Sequence, residues 1–292
     1  MPVLRLATRT SPLALWQARH VARLLRHAHP GLRVSLVPVI SRGDVDRATP
    51  LYGMGTQGIF VKEVQERVLA GAADAGVHSC KDLPTAPADG LAIAAILTRA
   101  DPRDALIGAA SVAALPPGAL IGTSSLRRQA QLAALRADLR FANIRGNVDT
   151  RLRKVRERVD GLDATVMAMA GLVRLGLTRA ARAVALDPIS ECTPAPAQGA
   201  VAVDCRASDR RARVLLAAIA DSETSRAVGI ERAVLAGLRG GCSLPLGCHA
   251  WRRDGCWHLR ARLGLSDGRL HEITLSGSAA DLAQRALDHL AH

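Results

Sequence analysis

Short apolar segments that lead directly into capped helices recur along this 292-residue chain, and this alternation predicts the α/β fold class. Residues 3–7 predict a buried strand, and Ser11 and Pro12 then suit the N-cap and first positions of a helix. Residues 33–40 predict a second strand. The chain is therefore expected to open with a parallel β-α-β unit, whose ligands bind at the carboxyl ends of the strands. Arg9 and Ser11 stand at that edge.

The same alternation returns in the middle of the chain, again with basic residues where strands end. Residues 119–122 predict a strand, Thr123 and Ser125 begin the next helix, and Arg127 and Arg128 fall in its first turn. Cations near a helix N-terminus are unfavourable, so these arginines predict a bound anion there. The strands predicted at 139–144 and 164–168 are followed by three further arginines: Arg145, Arg151 and Arg174.

A short strand predicted at residues 75–79 delivers Lys81 and Asp82 to the same edge as Arg9. A lysine and a carboxylate therefore arrive together at this edge. The alternative is a surface ion pair at a turn, and spacing along the chain does not decide between the two interpretations.

Residues 239–247 form a loop bounded by glycine and proline, with Cys242 at its middle. A thiol on such a loop is accessible for chemistry. The alternative is a free cysteine packed as a small hydrophobic residue. The cysteines and histidines between residues 242 and 258 show no C-x-x-C or H-x-x-x-H spacing, so no metal site is predicted.

The glycine pattern at residues 53–58 matches G-x-G-x-x-G, yet a polar loop at 41–52 precedes it where a dinucleotide-binding site needs a strand. A mobile, glycine-rich lid that leads into a helix at 59–70 is the preferred interpretation. The tail after Ser222 predicts a helix, three strands joined by Asp-Gly turns and a final helix. We expect three domains, formed by residues 1–97 with 198–220, by 98–197 and by 221–292.

Composition favours a folded protein that binds small polyanions. Hydrophobic residues make up 49% of the chain and the net charge is +13. Of the 39 basic residues only Lys62, Lys81 and Lys154 are lysines, and arginine binds carboxylates and phosphates through paired hydrogen bonds. Aromatic residues, which bind single-stranded nucleic acid by stacking, are only 2% of the chain, so no nucleic-acid partner is predicted. Arginine-rich codon usage is a second source of the excess charge.

Neither a signal peptide nor a membrane span is predicted. The N-terminus begins on a strand pattern, and the one long uncharged run, residues 105–126, is broken by Pro116 and Pro117. We expect a cytoplasmic protein with no membrane contact, in which the cysteines are free thiols.

Five motifs, in this order along the chain, resemble those of the porphobilinogen deaminase family: residues 7–17, 77–84, 122–128, 144–148 and 240–242. The likeness extends over essentially the whole chain and includes residues 170–174 and 198–200. The resemblance implies two doubly wound domains similar to periplasmic binding proteins, with an active site between them. It also implies a small α+β third domain, with a three-stranded antiparallel sheet, that carries the cofactor cysteine.

The family joins four porphobilinogen units head to tail with release of ammonia, on a dipyrromethane primer bound through the cysteine that matches Cys242. The resemblance implies that Asp82 stabilises the azafulvenium-like charge on the reacting pyrrole and moves protons. It assigns primer binding to five residues: Lys81, Thr123, Ser125, Arg127 and Arg128. It assigns contacts with substrate or intermediate to six others: Arg9, Ser11, Arg145, Arg151, Arg174 and Gln198. We further expect a monomer.

Three positions depart from the family pattern. Gln57 stands where a lysine is usual, Cys80 where methionine is common, and Pro196 with Ala197 where Val-Gly is usual. Three rival functions stay open on sequence alone: a non-catalytic anion-binding protein, a basic nucleic-acid binder, and a relative of the family that acts on a modified pyrrole. Simple binding requires neither Cys242 nor Asp82.

Overall fold

The structure is a computed structural model that describes residues 3–40, 61–238 and 244–290. The chain divides into two compact units, residues 1–100 with 200–226 and residues 101–199 with 227–292, and each is described by itself. Within the described ranges no helix combines the length and apolar character needed to cross a membrane. Cys242, Gln57, the predicted lid and the predicted helix start at residue 59 lie outside the described residues.

The described residues form the following strands: β1 Val3–Arg9, β2 Arg33–Val39, β3 Ala75–Ser79, β4 Leu91–Ile96, β5 Asp104–Ile107, β6 Leu120–Gly122, β7 Arg140–Ala142, β8 Ala164–Ala168, β9 Val184–Ala185, β10 Val201–Arg206, β11 Leu246–Arg253, β12 Cys256–Gly264 and β13 Leu270–Gly277. Their helices are α1 Pro12–Ala28, α2 Lys62–Leu69, α3 Leu126–Leu135, α4 Val148–Arg156, α5 Met169–Arg174, α6 Arg210–Ala217, α7 Ser222–Gly237 and α8 Leu282–Leu290.

The first unit is built on a five-stranded sheet in the order β2-β1-β3-β10-β4. Strand β1 runs parallel to both β2 and β3, whereas β10 lies antiparallel between β3 and β4. Helix α1 begins at the Ser11 cap and packs its apolar face, including Val21 and Leu25, against Leu4 and Leu6 of β1. The predicted β-α-β opening is confirmed, and β10 brings a late segment of the chain back into this first sheet.

The second unit contains a five-stranded sheet in the order β7-β6-β8-β5-β9. Strands β7, β6 and β8 are parallel, so the residues that follow them gather at one edge. Strand β5 runs antiparallel to β8, with Asp104 opposite Ala168. Its first residue therefore lies at the edge where the parallel strands end. The sequence patterns predicted neither β5 nor β9, because both are short and show no alternation.

Strands β11, β12 and β13 form an antiparallel meander that packs its apolar face on α7 and α8. Asp254 and Gly255, at the first turn, have φ angles of 50° and 78°, as a tight two-residue hairpin turn requires. Two backbone groups of β11 are tied to the rest of the unit: Cys248 N–H donates to Pro194 O at 2.8 Å, and Ala250 N–H donates to Glu231 at 2.8 Å. The predicted fold class, two doubly wound α/β sheets and a three-stranded antiparallel sheet, is confirmed.

Candidate active site

In the first unit, four predicted site residues stand at one sheet edge. Arg9 ends β1, and Ser11 caps α1 by accepting a hydrogen bond from Ala14 N–H at 3.3 Å. Because β1 and β3 are adjacent and parallel, the turn after β3 is brought to the same edge. That turn carries Lys81 and Asp82.

Lys81 and Asp82 lie in a single 3-10 turn, Cys80–Asp82, that is held from both sides. Cys80 N–H donates to Ala200 O at 3.0 Å, and the Gln17 amide of α1 donates to Ser79 Oγ at 2.9 Å. The Asp82 carboxylate is half-buried and has neither a hydrogen bond nor an ion pair with any other described residue. A surface pair between Lys81 and Asp82 is therefore not formed. A firmly placed carboxylate without a partner is suited to a ligand N–H or to a developing positive charge.

In the second unit, the start of α3 is organised around Thr123 and Ser125. Ser125 Oγ accepts a hydrogen bond from Arg128 N–H at 3.5 Å, and Ser125 N–H donates to the buried Thr123 Oγ at 3.2 Å. The Gln129 side chain donates to Thr123 O at 2.9 Å. Ser125 thus caps α3, as expected from the sequence.

The arginines in that first turn bind an anion that the sequence reasoning did not identify, the carboxylate of Asp104. Arg127 Nη1 donates to Asp104 Oδ2 at 2.6 Å, and Arg128 donates to Oδ1 through Nη2 at 2.7 Å and Nε at 3.1 Å. Asp104 is 0% exposed, and the two arginines are 5% and 7% exposed. Burial alone raises the pKa of Asp104, but the charges of Arg127 and Arg128 outweigh this effect and hold the pKa well below its usual range.

Two further side chains complete the group around Asp104. The Gln198 amide donates to Asp104 Oδ1 at 2.9 Å and to Pro102 O at 2.8 Å, and the Cys192 thiol lies 3.4 Å from Asp104 Oδ2. Burial, followed by the Asp104 charge, raises the pKa of Cys192 to about 12, so this thiol is neutral. Gln198, predicted as a substrate contact, is thus a fully buried neighbour of the arginines. One sequence feature could have identified Asp104 as a partner of the arginines: it is an acidic residue at the start of an apolar segment.

The other predicted arginines of this unit are crowded cations. Burial, with the like charges of Arg128 and Arg145, lowers the pKa of Arg151 to about 10. Burial also lowers the pKa of Arg174 to about 10, while its Nη2 donates to Gly199 O at 2.7 Å. No carboxylate is among the causes of either shift. Guanidinium groups destabilised in this way are stabilised when an anion binds beside them.

Strand β11, which follows the segment that contains Cys242, lies close to the arginine group. A Cβ placed on Gly247 would lie 2.6 Å from Thr193 O, the atom that accepts a hydrogen bond from Arg127 Nη1 at 2.8 Å. Only glycine permits this approach. Cys242 itself lies outside the described residues.

The edge of the first unit offers an unpartnered carboxylate, and the edge of the second unit offers several arginines suited to binding carboxylates. Of the predicted site residues, the structure groups Arg9, Ser11, Lys81 and Asp82 in the first unit. It groups seven at the corresponding edge of the second unit, in the loops and helix starts beside β6, β7 and β8: Thr123, Ser125, Arg127, Arg128, Arg145, Arg151 and Arg174. Among the described residues, no group of three or more histidines, cysteines and carboxylates is placed to hold a metal ion.

Two family models together match nearly the whole chain. The model of the porphobilinogen deaminase dipyromethane cofactor binding domain matches residues 4–214, and that of the porphobilinogen deaminase C-terminal domain matches residues 225–292. Both descriptions agree with the resemblance found in the sequence motifs.

Curated proteins named porphobilinogen deaminase from two strains of Xanthomonas oryzae pv. oryzae are each 49% identical to this chain over 285 residues, which is 96% of the chain and 92% of the relative. Among solved structures, the chain is similar to YhfZ from Shigella flexneri at 15% identity and a TM-score of 0.39, over 81% of this chain and 96% of that one.

Proposed function

Because this chain belongs to the porphobilinogen deaminase family, we propose that it joins four porphobilinogen molecules head to tail into hydroxymethylbilane and releases one ammonia at each step. The observation that carries the proposal beyond family membership is the crowding of arginines around β6, β7 and β8. Each porphobilinogen brings an acetate and a propionate, so the growing chain is a polyanion. Burial and the like charges of Arg128 and Arg145 lower the pKa of Arg151, so an anion bound beside it would stabilise its charged form.

The residues of this chain divide the work by position. Arg9, Ser11, Arg145, Arg151 and Arg174 hold the carboxylates of substrate and intermediates. These contacts orient the incoming ring, and the arginine contacts are charge-assisted hydrogen bonds, which are about twice as strong as neutral ones.

Asp82 acts on the reacting ring. Its carboxylate accepts a hydrogen bond from the pyrrole N–H and stabilises the positive charge that the ring gains as ammonia leaves. After the new carbon–carbon bond forms, the pyrrole ring carbon that attacked the methylene loses its proton and the ring regains aromaticity, and the Asp82 carboxylate is the base available to move that proton. The absence of a partner for this carboxylate among the described residues supports the assignment, because a carboxylate already paired with a cation would be a weaker base.

The cofactor site is proposed from the family resemblance, with support from the geometry around Arg127 and Arg128. Dipyrromethane supplies, when bound, the pyrrole end to which the first substrate is joined. Its covalent link is assigned to Cys242, and its carboxylates to the following residues: Lys81, Thr123, Ser125, Arg127 and Arg128. The buried guanidinium pair beside β11 fits such a group, since two cations share the one carboxylate of Asp104. We further propose a cytoplasmic monomer of three domains with no nucleic-acid partner.

The function is tested by incubating the purified chain with porphobilinogen. We expect four molecules of ammonia for each linear tetrapyrrole formed, and an intact protein mass above that of the bare chain by two linked pyrroles. A protein that releases no ammonia and has the bare mass contradicts the proposal. A turnover that requires a modified pyrrole instead of porphobilinogen supports the third rival function.

Substitutions at Arg128 and Arg151 are expected to impair different steps. Arg128→Ala should lose the cofactor adduct, while Arg151→Ala should keep it and elongate roughly 10- to 150-fold more slowly, as expected for the loss of about 1.5 to 3 kcal/mol from one charge-assisted bond. Adduct mass and single-turnover elongation separate the two effects. Arg153→Ala is the matched control, because Arg153 pairs with Glu157 at 2.7 Å on the exposed face of the same helix. If Arg151→Ala and Arg153→Ala elongate equally fast, the assignment of Arg151 is wrong.

A further inference from the structure

We propose that Asp104 is the positioning residue for the cofactor-binding arginines, and that it decides which edge of Arg127 is presented to a ligand carboxylate. This inference rests on the proposed function, because it concerns how the dipyrromethane is held. It adds a residue that lies in none of the five sequence motifs and that is too deeply buried to touch a ligand itself.

Several hydrogen-bond donors converge on the Asp104 carboxylate. Asp104 accepts three hydrogen bonds from Arg127 and Arg128, at 2.6 to 3.1 Å, and a fourth from the Gln198 amide at 2.9 Å. The Cys192 thiol donates a weak fifth at 3.4 Å. A buried acceptor satisfied by this many donors has one stable geometry, so the arginine side chains cannot rotate without leaving a polar group unsatisfied.

The contacts with Asp104 leave one edge of the Arg127 guanidinium unused. All side-chain hydrogen bonds from Arg127 to described residues use Nη1. This nitrogen donates to Asp104 Oδ2 and to Thr193 O, and it contacts the Cys192 sulfur. Its Nε and Nη2 have no hydrogen-bond partner among the described residues. A guanidinium fixed through one nitrogen and open along its Nε–Nη2 edge presents the paired donors that match a carboxylate.

The charge of this buried group also favours an anion. Two buried cations against one carboxylate leave a net positive charge, and Arg145 and Arg151 add to it nearby. Without Asp104, the repulsion between Arg127 and Arg128 would separate their guanidinium groups. With Asp104 in place, one positive charge remains for an anion, in an environment that screens it weakly.

The position of Asp104 in the sheet explains how it reaches both arginines. Asp104 begins β5, opposite Ala168, which is the last residue of β8. The antiparallel direction of β5 is what places a strand's first residue beneath the helix start that carries Arg127 and Arg128.

The test is a double-mutant cycle between Asp104→Glu and Cys242→Ser, read by thermal unfolding and intact mass. Asp104→Glu keeps the charge but moves the carboxylate by one methylene. In the parent, we expect the adduct to raise Tm relative to Cys242→Ser, because the noncovalent contacts between the attached group and the arginines form only in the folded state. In the Asp104→Glu background, we expect this adduct-dependent rise to fall by at least half, and the fraction of chains that carry the adduct to decrease.

A purely structural Asp104 predicts a different result. Asp104→Glu would then lower Tm by the same amount with and without Cys242, since effects at independent sites add, and the adduct-dependent rise would be unchanged. That result overturns the inference. Asp104→Asn provides a second cycle, in which the charge of the side chain is removed. If this variant folds, the same loss of the adduct-dependent rise in Tm is expected.

Asp138→Asn is the control, because Asp138 also pairs with an arginine of its own unit, Arg136, but 44% of its side chain is exposed and it lies outside the arginine group. It should leave the adduct-dependent rise unaltered. Failure of the proposed function is distinguishable, because the parent itself would then carry no adduct. A parent that carries the adduct, with a rise that Asp104 variants leave intact, contradicts only the positioning role.

Discussion

Asp82→Asn protein is expected to keep the primer and to turn over porphobilinogen roughly 100- to 10,000-fold more slowly than the parent, which corresponds to about 3 to 5 kcal/mol of barrier. Asparagine preserves the size of the side chain but removes its charge. Its carbonyl still accepts a hydrogen bond from a pyrrole N–H, so binding of substrate should suffer less than stabilisation of the cation. The loss should therefore appear mainly in kcat.

Steady-state turnover by Asp82→Asn protein whose intact mass includes the adduct separates lost chemistry from lost assembly. The structure gives this test a matched control, Asp89→Asn, which removes an exposed carboxylate from the same unit, outside the 3-10 turn. Activity of Asp82→Asn within about threefold of the parent, the scale of one lost surface charge, would show that Asp82 does not handle the developing cation.

Cys242→Ser is expected to abolish the covalent adduct and, with it, essentially all tetrapyrrole formation. A serine hydroxyl is not ionised at neutral pH, so it cannot replace the thiolate that bonds carbon. The expected measurement is an intact mass equal to that of the bare chain, together with turnover at background level. An adduct that persists in Cys242→Ser protein and maps to another cysteine would show that the attachment site is wrong.

The other cysteines serve as controls, and the structure explains why four of them are poorly accessible nucleophiles. Cys80, Cys192, Cys205 and Cys248 are buried, and burial is the first cause that raises the pKa of Cys192 to about 12 and that of Cys205 to about 11. Cys256 is the one described cysteine with an intermediate exposure. Serine substitutions at each of the five should leave the adduct in place, and Cys256→Ser is the most stringent comparison. Cys80, which stands where methionine is common in the family, is completely buried, so it is poorly accessible to oxidants.

Local patterns were enough to predict most of the fold, because the decisive signals act over a few residues. Ser11 and Asn147 cap α1 and α4 through contacts three residues away. The Asp-Gly turns place the meander, and the predicted strands at 164–168 and 75–79 match β8 and β3. The placement of arginines at strand ends followed from the same patterns, since parallel neighbours bring their carboxyl ends to one edge.

The partners of those arginines could not be predicted in this way. Asp104 lies 23 and 24 residues from Arg127 and Arg128, 88 from Cys192 and 94 from Gln198, and it belongs to a four-residue strand that no periodicity indicated. The prediction that an anion sits at the start of α3 was sound in its electrostatics. It did not foresee that the chain itself contributes one such anion.

By itself, the sequence determined the α/β class, the family, the helix starts and the turn that carries Asp82, because caps, turns and strand patterns are local properties of the chain. Only the tertiary structure decided that Arg127 and Arg128 share one buried carboxylate and that Gln198 supports it, and that β5 and β10 run antiparallel within otherwise parallel sheets. Burial and strand direction depend on which distant segments pack together. That packing is a property of the whole fold, so no short stretch of this sequence could reveal it.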